Sequence, residues 1–128
     1  MLKTLLIAAA MVAFPSAAWA QDWAFVTETS TGVNYLDRES VTTEDGIVTL
    51  WIKTDYHPDI QAQRNAAGVR SREQIDCAGS RIRLMDYIPF DKDGTELRHD
   101  KFESGTEWMA IEPGTFAKSK QDMVCGSG

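Results

Sequence analysis

The chain has 128 residues, 43% hydrophobic and a quarter charged, with 13 lysines and arginines against 19 acids for a formal charge of −6. This is the length of one small domain with a modest core. Its acidity repels nucleic acid and anionic lipid at long range, which argues against either as a main partner.

Lys3 precedes the apolar run Leu5 to Phe14, and Ala18-Trp19-Ala20 follows it. The run is too short for the roughly twenty residues of a membrane span, and small residues at 18 and 20 suit signal peptidase. Residues 1–20 are therefore expected to be a signal peptide cleaved after Ala20, leaving residues 21–128 as one domain. Loss of Lys3 takes the formal charge to −7. No cysteine adjoins the cleavage site, so no lipid-attachment signal is present. A periplasmic or secreted protein without a membrane anchor is expected.

From Trp23 to Asp37 apolar and polar residues alternate around Ser30-Thr31-Gly32, the pattern of a hairpin. Val41 to Thr43 reads as a strand fragment. Asp45-Gly46 is a turn signal, and Ile47 to Tyr56 is the most β-rich run, with Val48, Leu50 and Ile52 inward and Trp51 on the other face. His57-Pro58 stops it. His57 to Gly68 lacks either period and reads as a surface loop with at most one helical turn, of the kind that binds partners or merely tolerates insertion.

Val69 to Phe90 reads as a second hairpin. With Gly79-Ser80 at the centre of a tight turn, Ile75 faces Leu84, Ser71 faces Ile88, Asp76 meets Arg83 and Arg72 meets Tyr87. The same register sets Glu73 against Asp86 on the face that should be buried. Paired carboxylates share protons in hydrolytic sites, and two solvated acids at an uncovered level of the sheet give the same pattern.

Asp91 to Gly94 turns the chain into Thr95 to Phe102, with His99 across from Asp86 or Tyr87. A calcium loop centred on Gly94 would recruit Asp91, Asp93 and Asp100, but Pro89 falls at its first ligand position and no helices flank it, so no metal or cofactor is expected. Trp108 to Ile111 reads as a last short strand. Thr115 is a helix N-cap, and Phe116, Lys120, Met123 and Val124 fall along one side of a helix ending at Cys125 and Gly126.

Cys77 and Cys125 are the two cysteines. After export they meet an oxidising compartment, and they lack the CxxC spacing or nearby histidine of a metal site or catalytic thiol. One disulfide between them is expected. The loop it closes corresponds to about 4 kcal/mol in the chain-entropy account. The elements add up to an α+β domain: an antiparallel meander of about six strands with a C-terminal helix on one face and one disulfide.

Trp23 with Gly32-Val33-Asn34-Tyr35-Leu36-Asp37, Val48 to Lys53, Ile75-Asp76-Cys77 with Arg81-Ile82-Arg83, and Ile111 to Thr115 with Val124-Cys125 stand in the order and spacing of a known group. On these residues the chain resembles the surface-adhesin protein E family of Gram-negative bacteria. The resemblance implies an antiparallel sheet with a terminal helix and a non-enzymatic role in binding host matrix or serum proteins such as laminin, vitronectin and plasminogen. Two features depart from the family pattern. The lipid-attachment cysteine is missing, and the last helix starts with Thr115 and Lys118 where the family has a serine and an acid.

Two functions follow for comparison. The first is an exported binding module holding a matrix or envelope protein, with Arg64, Arg70, Arg72, Arg81 and Arg83 as a candidate patch in an otherwise acidic chain. Local pairing and solvation of these strand-face arginines is the plainer account. The alternative is a small periplasmic hydrolase using Glu73 and Asp86, with His99 beside them. Edge strands, Val41 to Thr43 or the terminal ones, could also pair two copies into a homodimer.

Overall fold

The computed structural model describes residues 21–126, so the signal-peptide expectation lies outside the described residues. Eight strands form one antiparallel sheet: β1 (Trp23–Glu28), β2 (Gly32–Asp37), β3 (Thr42–Glu44), β4 (Ile47–Tyr56), β5 (Gly68–Asp76), β6 (Arg81–Phe90), β7 (Asp100–Lys101) and β8 (Met109–Ala110). The main order is β1-β2-β4-β5-β6-β7, with β3 beside β4 and β8 beside β6. Two helices, α1 (Pro58–Arg64) and α2 (Phe116–Cys125), complete it. No described helix is long and apolar enough to cross a membrane.

Alternation along β4 puts Val48, Leu50, Ile52, Thr54 and Tyr56 on a buried inner face. Leu36, Ile75, Ile82 and Ile111 join them in the core, and Phe116, Ala117 and Val124 of α2 pack against it. Asp45 and Gly46 have positive φ of 55° and 79° and form the two-residue link between β3 and β4. The Cys77–Cys125 disulfide is formed, with Cα atoms 5.7 Å apart, and fastens the end of α2 to the turn after β5.

Thr115 caps α2 as the sequence indicates, its hydroxyl accepting from the Lys118 amide at 3.2 Å. The buried side of the helix differs from expectation at two positions: Met123 is exposed and Gln121 is buried, while Lys120 is buried as its place on the stripe implies. Ala117, Lys120, Gln121 and Val124 make the inward stripe at the i, i+3, i+4, i+7 spacing, so two polar residues occupy core-facing positions.

The segment expected as a loop holds α1. Pro58, read as a strand terminator, also suits the first helical turn, and Asn65 ends the helix at a left-handed φ of 54°. Thr95 to Phe102 supplies only the short β7 and one isolated bridge, Phe90 to Glu96.

The β5–β6 hairpin departs most. Its link is the four residues between Asp76 and Arg81, which are Cα partners. Positive φ falls on Ser80, not Gly79. The Asp76 carboxylate accepts from the Gly79 amide at 3.0 Å and from Arg81 Nε at 2.9 Å, which closes this wider turn. The pairing is thereby two residues away from the tight-turn register, a shift that preserves the faces: Ile75 meets Ile82, and Asp76 meets Arg81 rather than Arg83. Then the register steps once more. Glu73 partners Leu84 and Arg72 partners Asp86, so Met85 is an extra residue, a β-bulge. Beyond it every side chain of β6 lies on the face opposite to the one expected.

Candidate functional site

The bulge decides the fate of the carboxylate pair. Glu73 and Asp86, expected opposite each other, lie on opposite faces of the sheet. On the inner face Glu73 Oε1 accepts from Lys120 Nζ at 2.5 Å and Oε2 from Ser71 Oγ at 2.7 Å. On the outer face Asp86 Oδ1 accepts from Arg72 Nε at 2.6 Å, and Oδ2 is 2.7 Å from His99 Nε2. Each acid is neutralised by its own cation, so the proton-sharing pair of the hydrolase alternative is not assembled. Burial works to raise the pKa of Asp86, but the His99 and Arg72 hydrogen bonds outweigh it and leave the carboxyl below its ordinary range.

His99 reaches Asp86 through its side chain, but it is not the cross-strand residue expected: Lys101 stands across from Asp86 and Asp100 across from Tyr87, and His99 precedes β7. The Asp91 carboxylate accepts from the Asp93 and Thr95 amides, both at 2.9 Å, and shapes its turn. No group of three or more His, Cys, Asp or Glu side chains arranged to hold a metal occurs among the described residues.

The five arginines of the candidate patch do not form one surface. Arg70, Arg72, Arg81 and Arg83 share the outer face by strand alternation. Arg70 reaches Glu96 at 3.2 Å and lies over the Phe90 ring; Arg72 holds Asp86 rather than Tyr87. Arg81 pairs with Asp76. Arg83 pairs with no acid among the described residues: its Nε donates to Gln74 Oε1 at 2.9 Å, and Trp108 lies by both Arg81 and Arg83, whose guanidinium carbons are 4.6 and 4.2 Å from the ring centroid. Arg64, on α1, lies on the inner side, where it donates to the Tyr56 hydroxyl at 3.2 Å.

Two arrangements therefore stand out. The first is the outer face, which α2 leaves uncovered. Phe25, Tyr35, Lys53, Arg70 and Ile88 are successive Cα partners across five strands, and Trp51, Arg72, Asp86 and Lys101 make the next row. Lys53 Nζ sits 5.2 Å from the Trp23 ring and 5.3 Å from that of Tyr35. Phe25 meets Tyr35 edge-on and is 60% exposed. Aromatic rings beside cations give this face both apolar contact area and oriented charge.

The second was not foreseen. Beside α2 the inner face opens into a hollow of about 570 Å³ walled by Ile82, Leu84, Trp108, Met109, Phe116 and Ala117. A smaller hollow of about 280 Å³, which includes Tyr56, Arg64 and Asn34, shares Ser71, Glu73, Tyr87, Phe116 and Lys120 with it. The sequence signal was Lys120 itself, a lysine at a core-facing position of an otherwise apolar helix stripe.

A family model described as surface-adhesin protein E matches residues 23–126. Similar solved structures come from Haemophilus influenzae. Its protein E in selenomethionine form shares 15% identity, with 80% of this chain and 86% of that one covered at a TM-score of 0.58. A second protein E structure shares 17%, with coverages of 79% and 83% and a TM-score of 0.57. At such identities the likeness concerns the fold. A search of curated proteins finds no significant match.

Proposed function

Because this chain belongs to the surface-adhesin protein E family, we propose that it is an exported, non-catalytic binding module that holds a protein partner on the outer face of its sheet. Export rests on the leader, cleaved after Ala20, with release to the periplasm or beyond it. The partner class is a host matrix or serum protein.

One observation carries the reading: the aromatic and cationic rows through Phe25, Tyr35, Lys53 and Arg70 lie on the face that the terminal helix does not cover. An interface anchored by aromatic residues and arginine has the composition of binding hot spots. Arg70, Arg72 and Arg81 already hold acids of the same chain. They frame the surface, as does Lys53, which is 3.8 Å from Asp55, and Arg83 is the cation that meets an acidic group of the partner.

The test is binding of the mature chain to immobilised laminin, vitronectin and plasminogen. Saturable binding is expected to at least one of them, and Phe25→Ser weakens it about tenfold, the loss of one aromatic anchor. Phe25 is exposed, so the fold is spared. No saturable binding to any of the three, or an unchanged Phe25→Ser variant, rejects the reading. β1 is an edge of the sheet, which supports pairing between copies, and sedimentation at assay concentration separates a one-chain from a two-chain binder.

A further inference from the structure

We infer that the inner hollow is a binding site for a single-chain amphiphile with a carboxylate head, such as a long-chain fatty acid. The site lies on the face opposite to the proposed adhesive surface and goes beyond that reading. Three observations support it.

The first is size and shape. A hollow of about 570 Å³ matches the volume of small-molecule sites, roughly 300–1,000 Å³. It runs along β6 from Ile82 to Tyr87, on the order of 15 Å of strand, before meeting the smaller hollow. An elongated ligand is accommodated.

The second is the distribution of chemistry. The larger hollow is walled mainly by aliphatic and aromatic groups, Ile82, Leu84, Trp108, Met109, Phe116 and Ala117; Arg83, Thr106 and Glu107 also line it, and the Arg83 guanidinium is already engaged by Gln74 and the Trp108 ring. A second polar group gathers at the other end. Ser71 and the Glu73–Lys120 pair form the floor where the hollows meet, and Tyr56, Tyr87 and Arg64 stand beyond it. The two phenol oxygens are 3.5 Å apart, and Arg64 donates to that of Tyr56 at 3.2 Å. Such a division orients a ligand with its tail toward Trp108 and its head toward Arg64.

The third is charge. Lys120 and Glu73 cancel across 2.5 Å. Arg64 has no carboxylate within ion-pair distance among the described residues, so the polar end carries one uncompensated positive charge. Its guanidinium keeps further donors beyond the one given to Tyr56. Burial, followed by the Tyr56 contact, raises the pKa of Tyr87, so its phenol stays protonated and can donate. A carboxylate completes this set as an acceptor, and a fork of guanidinium donors suits its geometry.

Calorimetric titration of the purified exported chain tests the site, with dodecanoate below its micelle concentration as the probe and dodecanol and acetate as the two halves of its chemistry. Dodecanoate is expected to bind saturably at one per chain, dodecanol about tenfold more weakly for want of a charge-assisted hydrogen bond, and acetate not measurably. Arg64→Gln, on an exposed helix, should lower dodecanoate affinity about tenfold and leave dodecanol unchanged. Leu84→Trp, which fills the tail end, should abolish both. The inference is overturned by absence of saturable dodecanoate binding, by equal affinity in Arg64→Gln, or by binding that survives Leu84→Trp. None of these outcomes bears on attachment to matrix proteins through the outer face.

Discussion

The Glu73–Lys120 pair offers the sharpest test of the packing described above. Its side chains are 11% and 6% exposed, and it joins α2 to the middle of β5 across 47 positions of sequence. Removing one partner leaves the other charge buried without compensation, which costs about 3–5 kcal/mol in comparable buried pairs. The adjoining hollow admits water, so the lower end applies, and Lys120→Met or Glu73→Leu alone is expected to lose about 3 kcal/mol. For a domain of this length that corresponds to a Tm lower by roughly 12 °C. The double variant behaves differently. With both charges gone and two apolar side chains of similar volume in contact, stability should return to within about 1 kcal/mol of the parent or exceed it. Urea unfolding of the four proteins, with the disulfide intact in each, completes a double-mutant cycle. Single variants that each lose less than about 1 kcal/mol, the range of solvent-exposed pairs, would refute the reasoning.

Other outcomes follow from the same structure. Replacing both cysteines by serine should cost about 4 kcal/mol in the chain-entropy account, since the bridge spans a separation of 48 residues; calorimetry of the variant checks it, and a loss below about 1 kcal/mol contradicts it. Stability should also fall in acid. Asp86 has a depressed folded pKa, so its contribution is complete above the unfolded value of about 3.9 and is lost as pH falls through the folded one. Urea midpoints between about pH 5 and pH 2 should decline, and Asp86→Asn should flatten part of that slope, the remainder coming from carboxyls such as Asp76, lowered first by the Gly79 amide and then by Arg81. An identical slope in the Asp86→Asn variant would show that His99 and Arg72 do not hold the charged form.

The outline of the molecule was legible where one local signal fixed one structure. Asp45-Gly46 names its turn, the alternation from Ile47 to Tyr56 fixes which side of β4 is buried, and Thr115 marks the start of α2. The two cysteines fixed the fastening. Features set by competition between signals were not legible. α1 is seven residues without an apolar stripe, so periodicity had nothing to report. The hairpin turn was misplaced because Gly79 suggested a tight link while Asp76 and Arg81 close a wider one. That error was benign, since two residues is a full period of a strand.

The single step at Met85 was the consequential miss, because it separates Glu73 from Asp86 and brings Tyr87 into the hollow. Its trace in the sequence is Leu84-Met85, two adjacent apolar residues interrupting the alternation. The hollow left a trace as well, in Lys120 standing where a helix of this stripe would carry a leucine.

Met85 makes chain length, more than residue identity, the variable that matters in this part of β6. Exchanging it for another side chain leaves the phase of the strand untouched. Excising it would invert the segment from Asp86 to Phe90 like a ribbon given half a twist. Tyr87 would be carried out of the cavity, Asp86 would arrive beside Glu73, and Arg72 and His99 would lose the anion they share. Met85 is itself buried, so a substitution there acts through local packing, whereas a one-codon loss would rewrite two surfaces simultaneously.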